Sequence, residues 1–306
     1  MSSVLLTVGI PTRNRSGYLR DLLGALEAQV GGEGLRQDQV EVLVSDNASS
    51  DETGDLGRGF ASRLPHARYW CNAENIGAQG NYHKLVEEAR GRFLWIIGDD
   101  DLVLPGAVGE TVKELEADAG LGLLIHFDTR YDPRLRRPQR FGSYADYIRE
   151  CARVHPHALV EHTLTTSNVY RLDAFDRAFA RAHDATDFPH MYGMGQGLKV
   201  RGGAVKVSAY PAIRVRDRRA PAVDGVWPTD LERSWIAYLG WLRELHGVPE
   251  LEPQRAIEHI RRELMRKMTR HPLRYVRDNW HALRQPQAWV WFIRRLFFHS
   301  RGGREK

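Results

Sequence analysis

Apolar residues recur along the first 125 positions in two alternating rhythms. Short apolar runs at Val4–Ile10, Val40–Ser45, Ala67–Cys71, Phe93–Ile97 and Leu121–Phe127 have the length and composition of strands. Between them the spacing turns helical. Tyr18, Leu19, Leu22, Leu23 and Leu26 share one helix face, and Ser16 stands where a capping residue belongs. Ser50 or Asp51 caps a short helix over Glu52–Leu64, a third helix spans Ala78–Ala89, and a fourth follows Pro105. Such alternation predicts an α/β fold with a parallel sheet and helices on both faces.

Beyond residue 128 the rhythm loosens. Tyr131–Phe141 reads as a basic surface loop, Thr163–Tyr170 and Ala204–Tyr210 as strands, and 172–183 and 190–199 as helices. Arg214–Trp227 is a second basic loop, and from Thr229 onward the pattern is helical, broken at Pro253, Pro272 and Pro286. The expected organisation is a first half over residues 1–125, a second half over 126–250, and a helical extension over 251–306.

Composition changes this picture at one place. Apolar content of 42% and charged content of 27% are those of an ordinary soluble globular chain. The net charge of +5, however, is unevenly spread: residues 255–306 hold 14 Lys/Arg against 4 Asp/Glu, and the remainder carries 30 basic against 35 acidic side chains. Trp289, Phe292, Ile293, Leu296 and Phe297 share a helical face in that tail, with Arg294 and Arg295 beside them. Basic residues with Trp and Phe on one helix fit an interfacial helix on an anionic membrane. The alternative is a helix packed on the body of the protein; no nucleic-acid recognition motif accompanies the charge. Two cysteines, Cys71 and Cys151, without metal-type spacing, fit a reducing cytoplasm. No signal-peptide pattern or long apolar span occurs, so the expected location is cytoplasmic, peripheral on the inner membrane face through the tail.

Candidate chemistry gathers where the predicted strands end. The fourth runs from Phe93–Ile97 into Gly98 and three consecutive carboxylates, Asp99, Asp100 and Asp101. Adjacent acids repel unless a cation joins them, and this edge of an open α/β sheet is where ligands bind. A divalent cation carrying a diphosphate suits such hard oxygens; a solvated acidic turn is the alternative. The first strand ends in Pro11-Thr12-Arg13-Asn14-Arg15, hydroxyl and cations before a helix start, as an anion site requires. Asp46 closes the second strand, too early to cap the following helix, and Asn75-Ile76-Gly77 with Asn81 opens the third helix. Neither a Gly-x-Gly-x-x-Gly fingerprint nor a Walker-A Lys-Ser/Thr pair is present, which argues against the usual NAD and ATP sites.

These four motifs in this order closely resemble the family 2 inverting glycosyltransferases of GT-A fold, over roughly residues 4–125. The resemblance implies a Rossmann-like, mostly parallel sheet with helices on both faces, followed here by the C-terminal helical extension. It implies that Pro11, Thr12, Arg13 and Arg15 line a nucleotide pocket, that Asp46 contacts the base, and that Asn75 and Asn81 shape the cleft. The family's Asp-x-Asp places its second acid on Asp100 as metal ligand, with Asp99 contacting ribose or metal. Its first acid falls on Gly98, and a register using Asp99 and Asp101 is the alternative. The implied cofactor is Mg²⁺ or Mn²⁺, the implied donor a nucleoside diphosphate sugar with UDP first, and the implied acceptor a glycan or lipid-linked glycan of a surface polysaccharide. The general base is expected in His183–Tyr192: Asp187 ranks first and Asp184 second, while His190 is either a metal or diphosphate contact or a packed or capping histidine. Arginines of the loop Arg214–Arg219 are placed to close over the diphosphate. Rival readings are a sugar-nucleotide nucleotidyltransferase, whose glycine-rich loop Pro11–Arg15 lacks, and an inactive sugar-nucleotide- or glycan-binding protein.

Overall fold

The computed structural model describes residues 4–30, 35–36, 38–127, 137–154, 158–214 and 229–258. The expected Arg214–Trp227 loop beyond Arg214 and the tail from residue 259 lie outside the described residues.

The predicted alternation is present. β1 (Leu6–Thr12), α1 (Ser16–Val30), β2 (Val40–Asp46), α2 (Thr53–Arg63), β3 (Ala67–Cys71), α3 (Gly77–Glu88) and β4 (Phe93–Ile96) follow one another. A short β5 (Leu102–Val103), α4 (Ala107–Ala117) and β6 (Leu121–Ile125) complete the first half. Then come β7 (Gln139–Phe141), α5 (Tyr144–Val154), α6 (Ala158–Glu161), β8 (Asn168–Arg171), α7 (Arg177–Ala182), α8 (Pro189–Arg201), β9 (Ala204–Val207), β10 (Ile213–Arg214) and α9 (Thr229–His246).

Eight strands form one sheet in the order β3-β2-β1-β4-β8-β6-β9-β7, and β5 pairs with β10 apart from it. β1 lies parallel between β2 and β4, so the chain leaves it in opposite directions across the sheet. A crevice opens at such a switch point, outside the carboxyl ends of the strands. Side chains alternate across the strands and fill two cores. Leu6, Val8, Ile10, Phe93, Trp95 and Ile97 meet α1, α2 and α4 on one face. Leu94, Ile96, Leu123 and Ile125 meet α3, α5, α8 and α9 on the other.

Three features depart from the sequence-based expectation. β6 is separated from β4 by β8, which runs antiparallel to both. β8 therefore starts at the crevice, where β4 ends, and carries the residues before it to the acidic turn. Within the expected strand Thr163–Tyr170 only the last residues are extended; Thr165–Ser167 form a 3₁₀ turn. Gln139–Phe141, expected in a loop, pairs with β9 and buries only Phe141. Among the described residues, no helix is long and apolar enough to cross a membrane.

Candidate active site

The chain turns sharply after β4, and the Asp101 amide donates to the Gly98 carbonyl at 2.9 Å. The turn aims its three carboxylates apart. Asp99 is buried and accepts from the Thr12 hydroxyl at 2.8 Å and from Arg15 Nη1 at 2.9 Å. Asp100, partly exposed, accepts from the same Nη1 at 3.1 Å. Asp101 is buried and accepts from the Thr166 hydroxyl, whose oxygen in turn receives the Gly98 amide at 3.2 Å. Gly98, where the resemblance expected an acid, has little room for a side chain. A Cβ there would stand 3.1 Å from an Asp100 oxygen and 3.2 Å from an Asp101 oxygen.

Electrostatics follow from this packing. Burial pushes the Asp99 carboxyl above the usual carboxylate range, against the pull of Arg15 and Thr12. Burial also works against the Arg15 charge, but Asp99 and Asp100 outweigh it and hold the guanidinium above its ordinary value. Two carboxylate oxygens thus converge on one cationic nitrogen in a partly buried pocket. A divalent cation suits that donor set, since Mg²⁺-type sites take one or two carboxylates and complete their shell from phosphate and water. Among the described residues, no cluster of three or more His, Cys, Asp or Glu forms an all-protein cage.

Beside the acidic turn, the ends of β1 and β2 continue into two interlocked loops. Asn14, in the left-handed region with φ 51°, donates its amide to Ser49 Oγ at 2.9 Å and accepts from the Ser50 amide at 2.8 Å. Asp51 accepts the Ser16 and Thr53 amides, as a capping residue does. Arg13 is exposed, and Pro11 half-buried at the strand end. Asp46 is buried; it accepts from the Tyr69 hydroxyl at 2.7 Å and the Ser49 amide at 2.9 Å. Burial first, and Asp46 next, raise the Tyr69 hydroxyl far above its ordinary range.

Asn81 is turned inward. It donates to the Ser45 carbonyl at 2.9 Å and accepts from Ser45 Oγ at 2.7 Å and Asn72 Nδ2 at 3.1 Å. Asn75 is exposed and accepts from Asn47 Nδ2 at 2.7 Å and the Gly77 amide at 3.1 Å. Both asparagines therefore fasten the loops at the β2 and β3 ends to one another.

In the second half, Thr163 and Thr166 form the link between the acidic turn and the segment His183–Tyr192. The Thr163 carbonyl lies 2.9 Å from His190 Nε2, so that nitrogen carries the proton. Burial lowers His190 to about 4 and keeps it neutral. Thr163 Oγ1 accepts from Trp235 Nε1 at 3.3 Å, and Trp235 stacks on Phe188. Asp187, next to Phe188, is exposed and accepts from the Ser234 hydroxyl at 2.5 Å. Asp184 instead pairs with the buried His83 at 2.6 Å. Sequence reasoning missed Thr166, Tyr69, His83 and Ser234. Only Asn47 and Asn72, amides recurring at strand ends, left a local signal.

A mostly parallel sheet with an acidic turn at its crevice and a second half joined to that turn is the GT-A architecture of nucleotide-sugar-dependent transferases. The chain belongs to glycosyl transferase family 2, whose family model matches residues 7–179, and is a glycosyltransferase. The abequosyltransferase RfbV of Salmonella typhimurium is 27% identical over 229 residues, covering 70% of this chain and 67% of that protein. A β-1,3-glucosyltransferase of Campylobacter jejuni, named for a GalNAc(5)-diNAcBac-PP-undecaprenol acceptor, is 27% identical over 110 residues. That match covers 36% of this chain and about a third, 34%, of the relative. Among solved structures, TarS 1-349 of S. aureus with UDP-GlcNAc superposes with a TM-score of 0.57 at 15% identity, covering 87% of this chain and 73% of that one. The mannosyltransferase PcManGT of Pyrobaculum calidifontis, with GDP-Man and Mn²⁺, gives 0.54 at 16% identity over 94% and 82%. At such identities the likeness is one of fold.

Proposed function

We propose that the protein transfers a sugar, with inversion, from a nucleoside diphosphate sugar to a glycan or lipid-linked glycan acceptor in surface polysaccharide biosynthesis. The observation that carries this reading is the convergence of Asp99 and Asp100 on one cationic point at the crevice of a GT-A sheet. The UDP-GlcNAc and GDP-Man complexes of the fold neighbours and the acceptor in the Campylobacter relative's name support the substrate classes. UDP is the first choice of carrier.

Asp100 and Asp99 would hold Mg²⁺ or Mn²⁺, which when bound neutralises the leaving diphosphate. Asp101 is engaged with Thr166, which favours the Asp99–Asp100 register over the one with Asp101. Thr12 keeps Asp99 oriented, and Arg13 and Arg15 bring positive charge to the donor phosphates. Asp46, with Tyr69 and Ser49 fixing its carboxylate, borders the base pocket. Asp187 takes the proton from the acceptor hydroxyl as that oxygen attacks the anomeric carbon from the face opposite the diphosphate. Isothermal titration with UDP and Mn²⁺ tests the donor site: binding of both is expected, with Asp100→Ala weakening Mn²⁺ at least about tenfold. Binding of neither, or an unaltered Asp100→Ala, refutes it.

The basic tail would hold the protein on the cytoplasmic membrane face, near a lipid-linked acceptor. Co-sedimentation of the full chain with vesicles is expected for anionic lipid and not for neutral lipid, and to fade as salt rises. Equal behaviour with both lipids removes the tail from the mechanism.

A further inference from the structure

We propose that Arg15 is a two-position cation: it occupies the Asp99–Asp100 site while the donor is absent and moves to the diphosphate when metal and donor enter. The inference rests on the metal reading above and goes beyond it by making metal and nucleotide binding interdependent.

The contact itself is built to be displaced. Both carboxylates are served by Nη1 alone, at 2.9 and 3.1 Å, whereas the strongest arginine–carboxylate pairs use two nitrogens in a fork. The Arg15 side chain is still 32% exposed, so water can follow it out. Its backbone, in contrast, is fastened. The Arg15 amide donates to Thr53 Oγ1 at 3.2 Å, the Ser16 amide to Asp51 at 3.2 Å, and Asn14 is tied to Ser49 through its amide and to Ser50 through its side-chain oxygen. Only the side chain is left to swing, from a pivot that holds still.

The acids are prepared for its departure. Thr12 remains on Asp99, and Thr166 remains on Asp101 and on the Gly98 amide, so the turn keeps its shape without Arg15. Asp99, however, is buried and its charge is costly when unpaired, which favours a second cation where the guanidinium has left. A divalent ion and Arg15 cannot use the same two oxygens, and at that separation their charges repel. Nucleotide diphosphate resolves the conflict by offering Arg15 a second anion. Metal alone should then bind weakly, and metal and nucleotide should strengthen one another by the same factor.

Titration of Mn²⁺ into the full-length protein, with and without UDP, tests this. For wild type, UDP is expected to tighten Mn²⁺ about tenfold or more. Arg15→Met is expected to tighten Mn²⁺ alone, on the order of tenfold, because the competing cation is gone. The same variant should weaken UDP and shrink the coupling. Adding Asp100→Ala to Arg15→Met should abolish the gain, which places it at these carboxylates. Arg15→Gln provides the same comparison if the methionine variant folds poorly. Unchanged or weaker Mn²⁺ affinity in the Arg15 variants, while wild type binds Mn²⁺ with UDP, overturns the switch and leaves the metal site standing. Absence of Mn²⁺ binding to wild type even with UDP overturns both.

Discussion

Asp184 and Asp187, three positions apart and both candidates for the general base, are distinguished by their partners. Asp184 Oδ1 lies 2.6 Å from Nε2 of the buried His83, whereas Asp187 accepts from the Ser234 hydroxyl on α9. A base needs a lone pair that the acceptor hydroxyl can reach; both carboxylates are exposed, but Asp184 is held by an imidazole and Asp187 by a hydroxyl alone, which leaves Asp187 the freer base. Asp187→Asn is therefore expected to lower kcat by about 10²–10⁴ while UDP affinity stays unchanged, and Asp184→Asn by less than about tenfold. Steady-state kinetics with titration of UDP checks this; the reverse ranking would move the base to Asp184. At this scale the acids and Arg15 were legible because like charges crowded into one turn, and cations at the neighbouring strand end, have few structural uses. Thr166 and Tyr69 were not. Thr166 meets Asp101 from 65 residues away and Tyr69 meets Asp46 from 23, and nothing local marks either contact.

Among elements, the first half was readable because β1, β2, β4 and β6 are buried on both faces and each helix covers one, which imposes distinct periods. Helix α8 shows where that logic stops. Its residues are buried nearly all round, so no polar stripe reveals its orientation. Three glycines, poor helix formers, are used for contact instead. A Cβ on Gly193 would meet Ala180 and Phe175 at 2.7 Å, one on Gly195 would meet Trp241 at 2.9 Å, and one on Gly197 would overlap the Ala174 carbonyl. The helix is thereby drawn against α7 and α9, which sets Phe188 and His190 beside Trp235 and Thr163. The direction of β8 was equally hidden, since a short apolar run reads the same in either sense. Its antiparallel course is what delivers Thr166 to the acidic turn.

For the whole molecule, buried histidines make stability depend on pH. Burial lowers His126 and His162 to about 3 and His190 and His246 to about 4, against an ordinary 6.5. The unfolded chain takes up these protons first, so stability is full above about 6.5 and is lost as pH falls toward the folded values. Each histidine adds a slope approaching about 1.4 kcal/mol per pH unit within that window. Asp99, raised by burial, acts oppositely: its contribution is present below its ordinary 3.8 and lost as pH rises through its folded value. Thermal melts should therefore fall steadily from pH 6.5 to 4.5, and His126→Asn should flatten the fall; a level profile would contradict the burial argument. By itself the sequence determined the alternation of strands and helices, the acidic turn and the cations near it, because these depend on periodicity and on charge at neighbouring positions. Tertiary structure alone decided which carboxylate meets Arg15, which is turned to Thr166, and which aspartate of the second half pairs with His83 rather than Ser234. Those outcomes depend on strand order and direction, and on hydrogen bonds between residues tens of positions apart, where sequence spacing carries no information.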